Sequence, residues 1–323
     1  MKTAVIFGIS GQDGTFLAEF LLKKNYRVIG ISRDAQGSSF PNLLRLGIKD
    51  KIELVSASIH DFRSVLQVIS HYKPDEIYNL AGQSSVSLSF DQPVETFESI
   101  SIANLNLLEV IRFLDIPTKL YNAGSSDCFG NSDGKAVTEQ DPFKPRSPYG
   151  VAKAAAYWQV ANYREAYNLF ACTGILFNHE SFLRPKRFVT QKIVKTACRI
   201  AGGSDEKLLL GNISIERDWG WAPEYVSAMW SMLQQESPDD YIVATGETYS
   251  LTDFVSTVFQ ELSLNWKDHV QSSESLLRPT DIQSIQADPG KAESILGWKA
   301  KYNTNDVARL MVEAELENLK STK

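Results

Sequence analysis

The sequence predicts an α/β fold in which helices cover both faces of a doubly wound parallel sheet. Strand-like apolar runs alternate with segments of helical periodicity through the first half of the chain. Such alternation is typical of parallel sheets, because helices make the crossover connections between the strands. The predicted strands are 3–7, 27–31, 52–55, 76–80, 119–123 and 170–176, and the helical patterns include 62–72 and 96–114.

A glycine-rich turn follows the first predicted strand. It reads Gly8-Ile9-Ser10-Gly11-Gln12-Asp13-Gly14, and the helical pattern Phe16, Leu17, Phe20, Leu21 begins directly after it. Glycines let the backbone approach a pyrophosphate, and the free N–H groups of a helix N-terminus stabilise its charge. The turn therefore predicts a dinucleotide site of the Rossmann type; a glycine-rich loop without a ligand is the alternative interpretation.

A tyrosine and a lysine lie four residues apart in the stretch Ser147-Pro148-Tyr149-Gly150-Val151-Ala152-Lys153. On a helix this spacing places the phenol of Tyr149 and the ammonium group of Lys153 on one face. Such a pair can serve as the acid and base of a hydride-transfer site, although a surface pair has the same spacing. Together with the glycine turn, the pair predicts an enzyme that uses a nicotinamide dinucleotide.

The end of the second predicted strand bears on which nicotinamide is bound. An Asp or Glu at this place usually binds the ribose 2′-hydroxyl of NAD. Here the strand ends in Ser32 and is followed by Arg33, whose guanidinium suits the 2′-phosphate of NADP. The next residue, Asp34, could neutralise Arg33 or accept a ribose hydroxyl. The sequence favours NADP, with NAD as the alternative.

Composition and charge exclude several classes of protein. The 323 residues carry a net charge of −6 and no basic run, which argues against a nucleic-acid partner. Cys128, Cys172 and Cys198 lack the spacing of a metal site or a disulfide framework. No signal-like N-terminus and no apolar stretch of the ~20 residues that span a bilayer is evident. We expect a cytoplasmic protein with reduced thiols, no metal and no membrane contact.

The alternation of strands and helices ends near residue 177, which suggests two domains. Residues 1–177 are expected to bind the dinucleotide, and residues 178–323 to form a smaller α/β lobe for the substrate at the C-terminal side, with some elements returning to the core. Basic side chains collect in this lobe: Arg184, Lys186, Arg187, Lys192, Arg217 and Arg278. Each could belong to a solvated surface. As a group they suggest an anionic substrate such as a diphosphate, because arginine binds phosphate oxygens through paired hydrogen bonds.

Two segments fall at the carboxyl ends of predicted strands, where doubly wound sheets bind ligands. They are Asn79-Leu80-Ala81-Gly82 and Asn122-Ala123-Gly124-Ser125-Ser126. Their small residues would keep the backbone close to a cofactor or substrate, and a tight turn is the alternative for each.

These residues together resemble the extended short-chain dehydrogenase/reductase family and, within it, the enzymes that dehydrate GDP-mannose. The resemblance runs in order through nearly the whole chain. Its stretches are Gly11-Gln12-Asp13-Gly14, Asp75-Glu76-Ile77-Tyr78-Asn79-Leu80-Ala81, Pro145-Arg146-Ser147-Pro148-Tyr149, Ala161-Asn162-Tyr163-Arg164-Glu165, Gly174-Ile175-Leu176-Phe177-Asn178-His179-Glu180-Ser181, Arg217-Asp218-Trp219-Gly220 and Leu233-Gln234-Gln235-Glu236.

The resemblance implies a redox-neutral lyase with tightly bound NADP. Such an enzyme converts GDP-mannose to GDP-4-keto-6-deoxymannose by internal hydride transfer from C4 to C6. It also implies that Tyr149, with its pKa lowered by Lys153 and the nicotinamide, takes the proton of the sugar 4-hydroxyl. Ser125 would bind the 4-oxygen, and Asp127 would remove the C5 proton. A homodimer or homotetramer is implied, in which the loop 33–40 reaches a neighbour's cofactor site.

The resemblance further implies two sets of binding residues. Those for the cofactor are Gly8, Ser10, Gly11, Gln12, Asp13, Arg33, Ser58, Ile59, Leu80, Ala81, Gln83, Tyr149, Lys153, Asn178 and His179. Those for the substrate are Ser84, Asn178, Arg184, Val189, Lys192, Leu209, Gly211, Arg217 and Arg278. A structural role for His179 at the lobe junction is favoured over a catalytic one.

Four positions depart from the family pattern. Ser125 stands where the family usually has Thr and keeps the hydroxyl, while Asp127 replaces Glu, Phe129 replaces Tyr and Ser58 replaces Asp. The change at Asp127 withdraws the carboxylate by one methylene, roughly 1.5 Å, which can cost rate. A 4-reductase or an epimerase for a related nucleotide sugar needs no such base and is the enzymatic alternative. A catalytically silent nucleotide sensor is disfavoured by the intact pair Tyr149 and Lys153.

Overall fold

The computed structural model describes residues 1–321 and is organised around a seven-stranded sheet. The strands within these residues are β1 (Thr3–Phe7), β2 (Arg27–Ser32), β3 (Glu53–Ser56), β4 (Glu76–Asn79), β5 (Lys119–Ala123), β6 (Ala136–Val137), β7 (Ala171–Leu176), β8 (Asn178–Glu180), β9 (Leu208–Leu210), β10 (Glu216–Arg217), β11 (Trp219–Trp221), β12 (Tyr241–Val243), β13 (Tyr249–Ser250), β14 (Val270–Ser272) and β15 (Gln286–Ala287). The α-helices are α1 (Gln12–Lys23), α2 (Pro41–Arg45), α3 (Phe62–Tyr72), α4 (Val86–Asp91), α5 (Pro93–Phe97), α6 (Ala103–Leu114), α7 (Pro148–Tyr167), α8 (Val189–Ala201), α9 (Ala222–Leu233), α10 (Leu251–Glu261), α11 (Gly290–Leu296) and α12 (Thr304–Ser321).

The central sheet has the order β12-β7-β5-β4-β1-β2-β3, and each neighbouring pair is parallel. The chain starts in the middle with β1, adds β2 and β3 on one side, and returns to the other side with β4. The carboxyl ends of β1 and β4 therefore flank the crevice at which doubly wound sheets bind their ligands. The predicted α/β fold is confirmed.

Most predicted elements lie within one or two residues of those observed. The helix expected over 96–114 is correct only for Ala103–Leu114, because the segment before it is divided. A short helix, Pro93–Phe97, starts at a proline, and a π-helical turn, Glu98–Ile102, follows it. A π turn shifts the residues after it around the helix axis, so the apolar spacing alone did not show where the elements join.

Both faces of the sheet are covered by apolar helices, which explains why its strands are buried on both sides. Alternate residues of β1 face opposite layers: Ala4 and Ile6 pack with the buried sides of α1 and α9, and Val5 and Phe7 pack with those of α3, α6 and α7. These two layers hold the carboxyl ends of the strands in place for the site.

The chain after residue 177 contributes to two parts of the molecule. Strand β12 pairs with β7 at the edge of the central sheet, and α9 packs against α1. Helices α8, α10 and α12 instead form a separate apolar core with β9. Residues after 177 thus contribute both to the central sheet and to this separate core, which is called the lobe below.

Two further observations concern the cysteines and the helices. All three cysteines are free thiols and buried. Within residues 1–321, the helices are each too short or too polar to cross a bilayer.

Candidate active site

The glycine turn after β1 packs so closely against neighbouring backbone that larger residues would not fit. Gly8 has a φ of +89°, and a Cβ built on it would lie 2.6 Å from the Leu80 carbonyl oxygen. A Cβ on Gly14 would lie 2.3 Å from the Gly8 carbonyl oxygen. Gly11 is the N-cap of α1 and has no side chain that could occupy the N–H groups of the first turn. Such a cradle fits the pyrophosphate of a nicotinamide dinucleotide.

The end of β2 lies where the ribose of such a cofactor is expected. Arg33 is exposed there, and no hydrogen bond or ion pair engages its guanidinium within residues 1–321. The Asp34 carboxylate instead caps its own turn, because Oδ1 accepts from the backbone N–H groups of Gln36 at 3.1 Å and Gly37 at 2.7 Å. The loop therefore satisfies Asp34 and leaves Arg33 available. Phe40, at its end, is buried in this chain's own core.

A cavity of about 550 Å³ opens at the carboxyl ends of the strands. The predicted site residues that line it are Asp13, Leu80, Ala81, Gln83, Ser84, Ser125, Asp127, Tyr149, Lys153, Asn178, His179, Arg184, Val189, Lys192, Leu209, Gly211, Arg217 and Arg278. The other predicted residues lie outside this lining, at the glycine turn and the ends of β2 and β3: Gly8, Ser10, Gly11, Gln12, Arg33, Ser58 and Ile59.

Tyr149 and Lys153 lie on the first turns of α7, where the Ser147 hydroxyl accepts from the Gly150 N–H at 3.0 Å. Both side chains are buried. The Lys153 ammonium group donates to the Ala123 carbonyl oxygen at 2.7 Å and lies 5.8 Å from the centre of the Tyr149 ring. Helix α7 thus holds the phenol and the amine beside the end of β5.

The expected lowering of the Tyr149 pKa does not occur in the protein alone. Burial raises the pKa of Tyr149, and the nearby carboxylate of Asp127 raises it further. Burial also lowers the pKa of Lys153, to about 8. Removing a phenolate from water is costly, and this cost outweighs the hydrogen bond with Ser125 and the charge of Arg184, which both lower the Tyr149 pKa.

Asp127 lies on the short turn Ser126–Cys128 that follows β5. Its backbone N–H donates to the Ser125 hydroxyl oxygen at 3.2 Å, and that hydroxyl lies 3.4 Å from Oδ2 of the carboxylate. Burial raises the pKa of Asp127, while the charges of Arg217 and Arg278 oppose the rise. A carboxyl group with a raised pKa is suited to proton transfer near neutral pH.

The lobe brings cations from separate segments to the same cavity. Arg217 and Arg278 each lie 3.2 Å from Oδ1 of Asp281, and Arg184 pairs with Glu180 at 3.1 Å. The Lys192 ammonium group donates to the Leu209 carbonyl oxygen at 2.6 Å.

Sequence reasoning missed Asp281, which bridges Arg217 and Arg278. It lies in a loop without periodicity, three residues after Arg278, and this spacing was the only signal. Lys186, which was expected in the basic cluster, is exposed and lies outside the cavity lining.

Gln12 and His179 meet at the junction between α1 and the lobe. The Gln12 side chain donates to the His179 carbonyl oxygen at 3.1 Å and accepts from the Ser181 hydroxyl at 2.7 Å. Its amide is therefore occupied by the protein. Nε2 of His179 lies 2.9 Å from Oδ2 of Asp13.

No metal was expected from the sequence. His60, Glu95 and Glu98 each bring one potential ligand atom within 4.8 Å of the others, outside the cavity lining. Exposed acidic groups often lie together in this way without an ion.

The chain is similar to known proteins over its full length. A sequence model described as GDP-mannose 4,6 dehydratase matches residues 5–311. GDP-mannose 4,6 dehydratase 1 of Arabidopsis thaliana is 44% identical over 332 residues, covering 100% of this chain and 92% of the relative. The GDP-mannose 4,6 dehydratase of Dictyostelium discoideum is 40% identical over 346 residues, covering 99% of this chain and 97% of the relative.

The fold is shared with more distant enzymes. A dTDP-glucose 4,6-dehydratase of Streptomyces venezuelae, solved with NAD bound, superposes with a TM-score of 0.88. It is 18% identical and covers 99% of this chain and 98% of its own, so the likeness concerns the fold alone. The two dehydratase relatives, by contrast, match through the lobe as well as the dinucleotide half. This chain therefore belongs to the GDP-mannose 4,6-dehydratase family.

Proposed function

We propose that this chain dehydrates GDP-mannose to GDP-4-keto-6-deoxymannose with tightly bound NADP. The observation that carries the proposal is the cavity that joins Tyr149, Lys153 and Asp127 to the lobe arginines Arg184 and Arg217. A proton-transfer centre and a set of guanidinium groups in one cavity suit a sugar joined to a diphosphate. The family relationship supports the same substrate.

Each side chain has a role that its surroundings support. The side chain of Tyr149 removes the proton of the sugar 4-hydroxyl as C4 is oxidised. Ser125 donates a hydrogen bond to the oxygen that becomes the ketone. Once C4 is a ketone the C5 proton is acidic, and the Asp127 carboxylate removes it as water leaves C6. A bound nicotinamide would supply the hydride chemistry, and Tyr149 and Lys153 lie in the cavity that would hold it beside the sugar.

NADP is proposed over NAD on the contacts at the end of β2. The exposed guanidinium of Arg33 has the charge and geometry for a 2′-phosphate. One oxygen of Asp34, which would otherwise compete as an acceptor for a ribose hydroxyl, is engaged by two N–H groups of its own turn.

The experiment is incubation of the protein with GDP-mannose and catalytic NADP in deuterated water. Mass spectrometry should show loss of one water from the sugar nucleotide and gain of one solvent deuterium at C5, without net consumption of NADPH. GDP-mannose has no carbonyl group at C4, so a 4-reductase would leave it unchanged and would instead oxidise NADPH when given a GDP-4-keto sugar. A product of unchanged mass that is an isomer of the substrate would identify an epimerase. Either result would contradict the dehydratase proposal.

We also propose that two copies of the chain pack through the outer faces of α6 and α7. Phe113 and Trp158 are 67% and 62% exposed on these helices, and Ile102 and Val151 extend the two apolar faces at helical spacing. Exposed apolar patches of this kind are typical of protein interfaces. Trp158→Glu should reduce the mass measured by light scattering, whereas Ile295→Glu, on exposed α11, should not. Equal masses for wild type and Trp158→Glu would contradict the proposal.

A further inference from the structure

We propose that His179 is a positioning residue for the dinucleotide: as an imidazolium ion it neutralises Asp13 at the start of α1 and ties that helix to the lobe. The inference rests on the proposed use of a nicotinamide dinucleotide. The two residues of this pair, Asp13 and His179, are 166 positions apart in the chain.

The hydrogen bonds of His179 require both ring nitrogens to be protonated. Nδ1 lies 2.7 Å from the Phe177 carbonyl oxygen, and Nε2 lies 2.9 Å from Oδ2 of Asp13. A carbonyl oxygen and a carboxylate oxygen are both acceptors, and a neutral imidazole has only one N–H to donate. The imidazolium ion satisfies both contacts, so the pair carries one positive and one negative charge.

The electrostatic surroundings favour the same protonation state. Burial is the largest single influence on each group and disfavours its charged form, but the attraction between the two, their shared hydrogen bond and the other hydrogen bonds together outweigh it. The charge of His179 and its hydrogen bond lower the pKa of Asp13 to about 2, and Asp13 raises the pKa of His179. Arg184 acts in the opposite direction on His179 and further stabilises the Asp13 carboxylate.

The position of Asp13 explains why neutralisation matters. Asp13 is the second residue of α1, whose N-terminal N–H groups face the glycine turn. A carboxylate in that turn is attracted by the helix dipole but repels a phosphate at the same place. Pairing with His179 leaves no net charge on the two side chains. The dinucleotide can then use the helix N-terminus without competing against an uncompensated anion.

The remaining contacts hold His179 rigidly and leave it no free nitrogen for catalysis. The ring of Tyr225, from α9, stacks on the imidazole with centres 4.6 Å apart and planes inclined by 22°. The Gln12 side chain bonds the His179 carbonyl oxygen and the Ser181 hydroxyl across the same junction. The start of α1 and strand β8 are thus tied by three side-chain hydrogen bonds beside the cavity.

The test compares NADP binding by calorimetry in His179→Gln, Asp13→Asn and the double variant. His179→Gln should weaken NADP by about 5- to 30-fold, the effect of an unpaired charge at a helix N-terminus. Asp13→Asn in the same chain should restore most of the loss, because the repelling carboxylate is gone. His269→Gln, a histidine stacked on Phe259 in the lobe, is the matched control and should leave NADP affinity unchanged.

Several outcomes would overturn the inference. Unchanged affinity in His179→Gln, or a double variant as weak as His179→Gln, would show that charge compensation is not its role. A nitrogen NMR spectrum with one unprotonated His179 ring nitrogen at neutral pH would contradict the imidazolium. The melting temperature of each variant separates misfolding from weakened binding. Wild-type protein that binds neither NADP nor NAD would overturn the proposed cofactor together with this inference, whereas NADP binding without dehydration would count against the proposed reaction alone.

Discussion

The glycine turn and the lobe arginines both suit phosphate groups, but they achieve this in different ways. The turn uses backbone N–H groups, and its members are neighbours in the chain between Gly8 and Gly14. The arginine set uses side chains from β10, the loop after β8 and the loop before β15. Backbone recognition is rigid and local, whereas side-chain recognition depends on packing between distant segments.

The two regions also differ in how their charges are balanced. Within the turn, steric closeness sets the geometry, since a Cβ on Gly8 or Gly14 would overlap backbone atoms. In the lobe, Arg217 and Arg278 share Asp281. A diphosphate must therefore compete with a carboxylate for the same guanidinium groups. Substrate binding in the lobe should consequently respond to single side-chain changes without disturbing the cofactor.

The largest effect is expected from Asp127→Asn, which separates the chemistry from both binding regions. The amide keeps the shape but cannot accept the C5 proton, so release of 6-deoxy product should fall about 10²–10⁴-fold. Oxidation at C4 does not need this carboxylate, so NADPH absorbance should accumulate on mixing with GDP-mannose. Asp115→Asn, at an exposed helix end, is the control. Full dehydration by Asp127→Asn would assign the proton transfer to another base.

Gly14→Ala should have the largest effect on the glycine turn. Its Cβ would lie 2.3 Å from the Gly8 carbonyl oxygen, so the turn must move, at a cost of about 3 kcal/mol of stability. Thermal unfolding and NADP titration should both show the loss. Gly202→Ala, whose Cβ would have no neighbour closer than 3.3 Å, should cost much less stability and leave NADP affinity unchanged. Normal NADP affinity in Gly14→Ala would show that the turn is not rigid.

Arg217→Ala tests the role of the lobe arginines in substrate binding. Loss of charged hydrogen bonds to a diphosphate should raise the dissociation constant for GDP-mannose about 10- to 100-fold. NADP affinity should hardly change, because the cofactor is proposed to bind on the other side of the cavity. Arg199→Ala removes another lobe arginine, one paired with Glu206 on the surface, and serves as the control. If NADP affinity fell as much as GDP-mannose affinity, Arg217 would have a structural role. The two regions would then not bind their ligands independently.

Arg33→Ala should have a smaller effect, because the guanidinium is exposed and screened by water. NADP affinity should fall about tenfold, while NAD affinity stays the same, since only NADP carries the 2′-phosphate. Arg27→Ala, at the other end of β2, is the matched control. Equal losses of affinity for NADP and NAD would show that Arg33 does not bind the 2′-phosphate and does not cause a preference for NADP.

The smallest effect on ligand binding is expected from Asp218, which should alter the pH dependence of stability instead. Its carboxylate accepts from the N–H groups of Thr245 and Gly246. Burial raises its pKa to about 7. The folded protein therefore keeps this proton at pH values where the unfolded chain, with an ordinary carboxyl group, has lost it. Stability should fall between about pH 4 and pH 7 and level off above that range. In Asp218→Asn, the free energy of unfolding measured with urea should no longer fall with pH over this range. A pH dependence equal to that of the wild type would show that Asp218 is not its cause.

Much of the cofactor half could be predicted because its features are continuous in the chain. The alternation of strands and helices, the turn after β1 and the spacing of Tyr149 and Lys153 are all periodic or local. The strand β12 was not predicted, since three residues, Tyr241–Val243, carry too little periodic information. The effect of burial on the Tyr149 pKa in the protein alone could not be predicted either, because burial depends on what packs around the phenol.

By itself, the sequence determined where most strands of the sheet lie along the chain, the glycine turn and the chemical types of the site residues. Each of these features depends on residues that are consecutive in the chain. Only the tertiary structure decided which charges meet. Asp281 bridges Arg217 and Arg278, and Asp13 reaches His179. Arg217 and Asp281, like Asp13 and His179, come from segments that no local spacing connects, and they pair because a charge that is buried away from water needs a neighbour of opposite sign.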